Sequence, residues 1–284
     1  MRDIKDNEHW TKIISAKRNW WDIDLKGVLN YKGLIFSLVK RDLVSIYKQT
    51  ILGPVWFLLG PLFTVFTYTF AFSTIANIPT DGIPAPVFYL AGTVLWNYFQ
   101  ACLNGSSSTF LSNAHLFGKV YFPRIIPSIA LIVSNLLKMM LQFIVFLVLC
   151  FYYQSLGKLQ MNGYVLLFPV LVLLMAVLSL GFGLVISSIS VKYRDMNQLI
   201  GVFVTLLMYA SPIIYPSSSV PEVLKPYISL NPIVPIINAF RYAFTGAGHF
   251  EWIGILYTAT FSIVIFLIGL VMFHKVEKTF IDTI

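Results

Sequence analysis

The stretch Tyr31–Pro61, YKGLIFSLVKRDLVSIYKQTILGPVWFLLGP, decides the fold. Its first part reads as an amphipathic helix. Tyr31, Leu34, Ile35, Leu38, Val39, Leu43 and Ile46 fall at helical spacing on one face, and Gly33, Ser37, Lys40, Arg41, Ser45 and Lys48 on the other. That pattern predicts a helix lying at a membrane surface, its apolar face in the acyl boundary and its bases among headgroups. After Lys48 no charged residue occurs until Asp81. The surface helix therefore runs straight into a membrane span, with Gly53-Pro54 supplying the bend. An ordinary soluble helix would not be followed by so long an uncharged run.

Working outward, composition agrees. Of 284 residues 57% are hydrophobic and 11% charged, and the mean hydropathy is +0.78. A soluble domain carries about 25% charged residues. The formal charge of +8 invites a nucleic-acid reading, but ten of the 20 Lys and Arg precede Ile51, the bias of a cytoplasmic N-terminus. No nucleic-acid partner is expected, and the charged first 50 residues predict no signal peptide. Cys102 and Cys150 sit in apolar runs and read as buried packing thiols.

Hydropathy predicts an all-α integral membrane protein with six transmembrane helices, at about Ile51–Ile75, Val87–Leu111, Ile125–Tyr152, Tyr164–Ser187, Gln198–Tyr215 and Trp252–Phe273. Residues 1–30 form a cytoplasmic lead segment with Trp10, Trp20 and Trp21 as interfacial anchors. Residues 31–50 are the amphipathic interface helix, 51–273 the six-span domain, and 274–284 a cytoplasmic tail. Assigned so, 16 Lys and Arg lie inside, and Lys158, Lys225 and Arg241 outside, which places both termini in the cytoplasm. The Pro-rich segment Pro216–Glu251 is apolar enough for re-entrant or interfacial helices.

Span two is the most polar. Thr93, Asn97, Gln100, Asn104 and Ser107 or Ser108 make one stripe that must meet another helix or a hydrated path. Lys138, the one Lys within a span, either lines such a path or snorkels beside the stripe. In span four, Ser179, Gly181 and Gly183 permit close helix approach.

What is missing is equally informative. No Asp or Glu falls in an assigned span, which disfavours an ion-coupled carrier. No P-loop motif is present, so the chain does not itself hold ATP. His9, His115, His249 and His274 are scattered, so no metal site is expected, and no acid/base pair marks a transferase. The chain reads as the membrane half of a machine powered elsewhere.

Four motifs in order, KRDLVSIYKQTILGPVWFLLGP (Lys40–Pro61), LFGKVYFPR (Leu116–Arg124), VKYRDMN (Val191–Asn197) and SLNPIVPIINAFRYAF (Ser229–Phe244), carry a family resemblance. The chain after Tyr31 resembles the permease subunit of ATP-binding-cassette exporters for O-antigen, capsular glycan or teichoic acid, and the O-antigen branch most. The resemblance implies a non-enzymatic homodimer in the bacterial inner membrane, joined by two copies of a nucleotide-binding subunit that holds ATP and Mg. It also implies a tunnel for a glycan on undecaprenyl diphosphate. An ion-coupled carrier or a lipid-linked sugar flippase is the alternative. Asn113–Arg124 would be the coupling helix, with Phe117, Lys119, Tyr121, Phe122, Pro123 and Arg124 meeting the ATPase. Phe117, Tyr121 and Phe122, aromatic in a cytoplasmic loop, are expected as docking anchors. Lys192, Arg194 and Asp195 form the second cytoplasmic loop, with at least one expected to pair with the first loop or the amphipathic helix. Arg41 and Lys48 are placed to meet either a lipid diphosphate or bulk anionic lipid. Asn97, Gln100, Asn104 and Lys138 would line the path. Tyr215, Tyr227 and Arg241 would belong to external gate helices, where aromatics either stack on sugar or form an interfacial belt.

Overall fold

A computed structural model describes residues 30–48, 53–117, 122–193 and 195–279. These form an α-helical bundle. Helix α1, Lys32–Tyr47, is the amphipathic element. Gly53 takes a left-handed φ of 50°, a conformation that glycine adopts without strain, at the start of the 3₁₀ turn Gly53–Val55 that leads into the next helix. Helix α2, Trp56–Tyr68, continues through a π-helical stretch, Thr69–Ile75. Next come α3, Ala85–Ser107, and α4, Ile126–Ser155, separated by two helical turns at Thr109–Ser112 and Ala114–Phe117. Helix α5, Phe168–Ser190, follows a 3₁₀ turn at Gly163–Leu167, and α6 is Met196–Tyr209. After two short turns come α7, Ile233–Thr245, and α8, Trp252–Thr279.

Among the described residues four segments are long and apolar enough to cross a membrane: Leu58–Ile75, Ile126–Ser155, Gly163–Ser190 and Trp252–Glu277. The other two expected spans fall short for different reasons. Helix α3 is long enough, but its amides and hydroxyls lower its hydropathy. Helix α6 has 14 residues, about 21 Å, and ends before Ser211-Pro212. The last helix also outruns its expected end at Phe273 and carries the tail to Thr279 as helix, because no Gly or Pro follows to stop it.

The polar helix sits at the centre. Val87 to Phe99 of α3 is almost wholly buried, flanked by α4 and α5. A polar helix in an apolar solvent gains by being wrapped in other helices, whereas α4, α5 and α8 turn Leu, Ile and Val outward. Helix α5 bears on α8 and α3 through its small residues, as expected. A Cβ on Gly181 would lie 2.8 Å from the Phe266 amide nitrogen, and one on Gly269 would lie 2.7 Å from the Gly181 carbonyl. One on Gly183 would strike Ser106. Both cysteines are buried free thiols.

One end of the bundle collects the loops with most bases. There Leu38 and Val39 of α1 join Phe110, Phe117, Phe122, Ile126, Leu184, Leu270 and Phe273 in a compact cluster. This corrects the expectation for α1: the inner part of its apolar face lies on the protein rather than in acyl chains. Phe36, 70% exposed, is the apolar side chain left pointing out. The lead segment 1–29, Ile51, Leu52 and Phe280–Ile284 lie outside the described residues.

Candidate functional site

The stripe on α3 divides along its length. Thr93 is buried and its hydroxyl donates to the Tyr89 carbonyl at 2.9 Å, so it is satisfied within its own helix. Asn97 reaches across to α4, its amide donating to Gln142 Oε1 at 3.5 Å. Gln100 is half-buried, and Asn104, a turn further on, is exposed. The stripe thus passes from a bond within α3 at Thr93, through a bond to α4 at Asn97, to open polar surface at Asn104.

Lys138 lies on α4 beside this seam. Its ammonium donates to Asn135 Oδ1 at 2.9 Å, and Asn135 in turn points its amide at Cys102 Sγ of α3, 3.9 Å away. Asp42 of α1 lies within electrostatic reach of Lys138. A cation inside a bundle needs such partners, since bare charge in hydrocarbon costs several kcal/mol. Gln142, Asn135 and Asp42 are participants that sequence reasoning did not single out. The visible signal for the first two was an amide inside an otherwise apolar run; nothing in the sequence marked Asp42.

At the basic end, Arg41 is exposed and forms a 2.8 Å ion pair with its neighbour Asp42. Lys48, exposed, closes the C-terminal end of α1, where the helix dipole favours a cation. The loop expected to dock an ATPase turns its aromatics inward. Phe117 is 7% and Phe122 8% exposed, with ring centroids 5.7 Å apart, so neither is free to anchor a partner. Burying them here answers the problem of aromatics in a loop without lipid. Arg124 is also inward: its backbone amide donates to Glu277 Oε1 at 3.3 Å, Nη1 donates to the Glu277 carbonyl, and the guanidinium lies 5.7 Å from the Phe117 ring. Glu277 Oε2 meets His274 Nδ1 at 3.1 Å. The loop is therefore fastened to the end of α8, a link with no sequence signal because 153 residues separate the partners. Pro123 is half-buried.

Lys119, Tyr121 and Arg194 lie outside the described residues. Lys192 and Asp195 are exposed, and neither makes an ion pair with another described residue; Lys192 lies 5.1 Å from the Tyr193 ring instead. Neither therefore pairs with a described residue of the first loop or of α1, and the pairing expected of Arg194 lies outside the described residues.

At the opposite end Arg241, on α7, is buried rather than displayed. Nη1 donates to the Pro212 carbonyl, and Nη2 donates to those of Ile213 at 2.8 Å and Phe88 at 3.4 Å. The guanidinium lies 3.7 Å over the Phe88 ring. Burial lowers its pKa to about 9, against the pull of Asp81 and Tyr89, so the charge persists at neutral pH. The planar fork fits these acceptors because the chain beyond α6 is not helical at Pro212 and Ile213, whose carbonyls have no helical partner. Gly92 makes room: a Cβ there would lie 2.9 Å from Nη2. Tyr215 is half-buried, its hydroxyl donating to the Tyr209 carbonyl at 2.9 Å, whereas Tyr227 is exposed. Arg241 thus joins α3, α7 and the chain beyond α6 as a structural hub, its fork engaged by backbone carbonyls.

A polar-centred bundle with four apolar segments long enough to cross a bilayer describes an α-helical membrane protein. The family description "ABC-2 type transporter" matches residues 33–245, so the chain belongs to that family. Among its relatives is the O-antigen export system permease protein RfbA of Myxococcus xanthus, 28% identical over 78% of this chain and 83% of the relative. A Klebsiella pneumoniae protein of the same name is 26% identical over 88% and 94%. The polysialic acid transport protein KpsM of Escherichia coli is 24% identical over 89% and 96%.

Proposed function

We propose that this chain is the inner-membrane permease of an ATP-driven polysaccharide exporter, moving a glycan of O-antigen type on undecaprenyl diphosphate out of the cytoplasm. The relatives, named for O-antigen export and polysialic acid transport and aligned over most of their length, support the class of cargo. The observation that carries a translocation path is the open part of the α3 stripe. Asn104 and the half-buried Gln100 leave polar surface on a helix that is almost wholly buried from Val87 to Phe99. Lipid does not satisfy amides, so this surface faces a second copy of the chain across a hydrated path.

In this reading there are six spans. Helix α3, about 34 Å long, is the second, and α6 extended through Tyr215 is the fifth. The basic end faces the cytoplasm, and Pro216–Glu251 forms the external gate helices. Two permeases pair and bind two copies of a separate ATPase that holds ATP and Mg. With Phe117 and Phe122 buried, docking falls to the loop's outer surface, and the Arg124–Glu277 link carries its motion into α8. Arg41 and Lys48 meet the diphosphate at the leaflet.

The test is complementation. A strain lacking this chain should accumulate lipid-linked glycan inside and regain surface glycan when the chain is restored. A P-loop ATPase should copurify with the permease. Surface glycan persisting in the deletion strain would overturn the reading.

A further inference from the structure

The opposite end holds a cavity of about 640 Å³, between the Asp81 turn, the segment after Pro216 and α7. It is of the size that takes small molecules, and its lining is mixed in a particular way. Asp81 is presented by a left-handed turn, with φ of 54° there and 78° at Gly82, and is held by Ser218, whose hydroxyl donates to Oδ1 at 2.6 Å. Its second carboxylate oxygen accepts no hydrogen bond from another described residue, so it stands ready to accept a hydroxyl. Across the cavity Asn238 accepts the Ser217 hydroxyl at 3.0 Å through Oδ1, which leaves its amide hydrogens to donate. Ile83, Phe88 and Val234 supply apolar wall between these groups.

Fixed acceptors and donors separated by apolar patches match a sugar ring, whose hydroxyls point sideways and whose faces are C–H. An isolated anion is a poor match, because the Asp81 and Glu251 carboxylates both line the space against Lys225, His249 and the buried Arg241. An acyl chain is a poor match because it would strip water from those same groups. We propose that this cavity holds a sugar unit of the exported glycan as it leaves the permease, a binding site within each protomer. The proposal rests on the export reading above.

Ser229 lines the cavity and is exposed, whereas Val223, 78% exposed, lies outside it. Cysteine is placed at each position, Ser229→Cys or Val223→Cys, in cells that make the glycan and in cells whose first glycosyl transfer is blocked. A membrane-impermeant maleimide then reports access. Labelling of the Ser229→Cys protein should slow by about threefold while glycan is exported, the protection given by a site filled about two thirds of the time. Labelling of the Val223→Cys protein should not change. Adding Asn238→Ala should restore fast labelling at the cavity. Equal rates at Ser229→Cys in both strains, with glycan reaching the surface, would overturn the site. So would equal slowing at both positions, which is shielding by bulk glycan, or a Val223→Cys protein unreachable from outside. Loss of the export reading is seen separately, as surface glycan that does not depend on this chain.

Discussion

At the basic end the protein is closed by oil: Phe110 stacks on Phe273 with centroids 4.3 Å apart, Phe117 and Phe122 fill in beside them, and α1 lies across. At the opposite end it is closed by a single guanidinium held by three backbone carbonyls and one ring. The difference follows from the chain that each end has to bury. The basic end gathers regular helix ends and a loop supplied with Phe, so apolar contact fills it and one polar link, Arg124 to Glu277, fastens the loop. The other end gathers broken backbone, where α6 stops and the Pro-rich segment starts, and orphan carbonyls need donors. Irregular backbone near a membrane is tolerated where protein satisfies it, and Arg241 does so here together with Asn231, whose amide donates to the Ala210 carbonyl, and Tyr215.

The contrast breaks most visibly at Arg241. Arg241→Leu strands carbonyls buried at about 1–3 kcal/mol each, so unfolding in detergent or bicelles should register a loss on the order of 4 kcal/mol. Arg241→Lys should recover part of it, since an ammonium does not reproduce the fork. A loss below about 1 kcal/mol would remove the hub from the comparison. Phe110→Ala tests the oily end, with an expected loss of about 3 kcal/mol from a cavity that neighbouring rings refill incompletely. Because the two sites share no partner, the double variant should show the sum of the single losses to within about 0.5 kcal/mol; a larger departure would show the ends to be coupled. Gly92→Ala should cost about 1–3 kcal/mol, as a Cβ pushes on Arg241 Nη2 and on the Ile213 carbonyl 3.1 Å away. If Gly92→Ala is neutral, the fork has slack that its geometry does not show.

The smallest effect on stability belongs to the exposed bases. Arg41→Gln with Lys48→Gln should move stability by less than about 1 kcal/mol, because the Arg41–Asp42 pair is solvent-exposed. The same double variant should bind lipid-linked glycan about tenfold more weakly in a vesicle pull-down. If a lysine introduced at Ser37 restores binding, the bases act as general anchors to anionic lipid, at about 1 kcal/mol each, and diphosphate capture fails.

Much of this was legible in the residues. Helical periodicity marked α1, the uncharged runs marked the apolar spans, and Gly53-Pro54 marked the bend, because each depends on neighbours within a turn or two. The amides of α3 announced that this helix could not face lipid. Small residues on α5 announced a close neighbour, which proved to be α8 on one side and α3 on the other. What periodicity could not tell was the identity of each partner. Whether Phe117 and Phe122 point outward or inward turns on Phe110 and Phe273, far off in sequence. Whether Arg241 is a gate residue or a hub turns on carbonyls released where α6 ends and on the space left by Gly92. Local pattern fixes which face is apolar or which group is charged, because those are properties of one segment. Only the tertiary structure decides what meets that face or satisfies that charge, because desolvation is set by all the chain that packs around it.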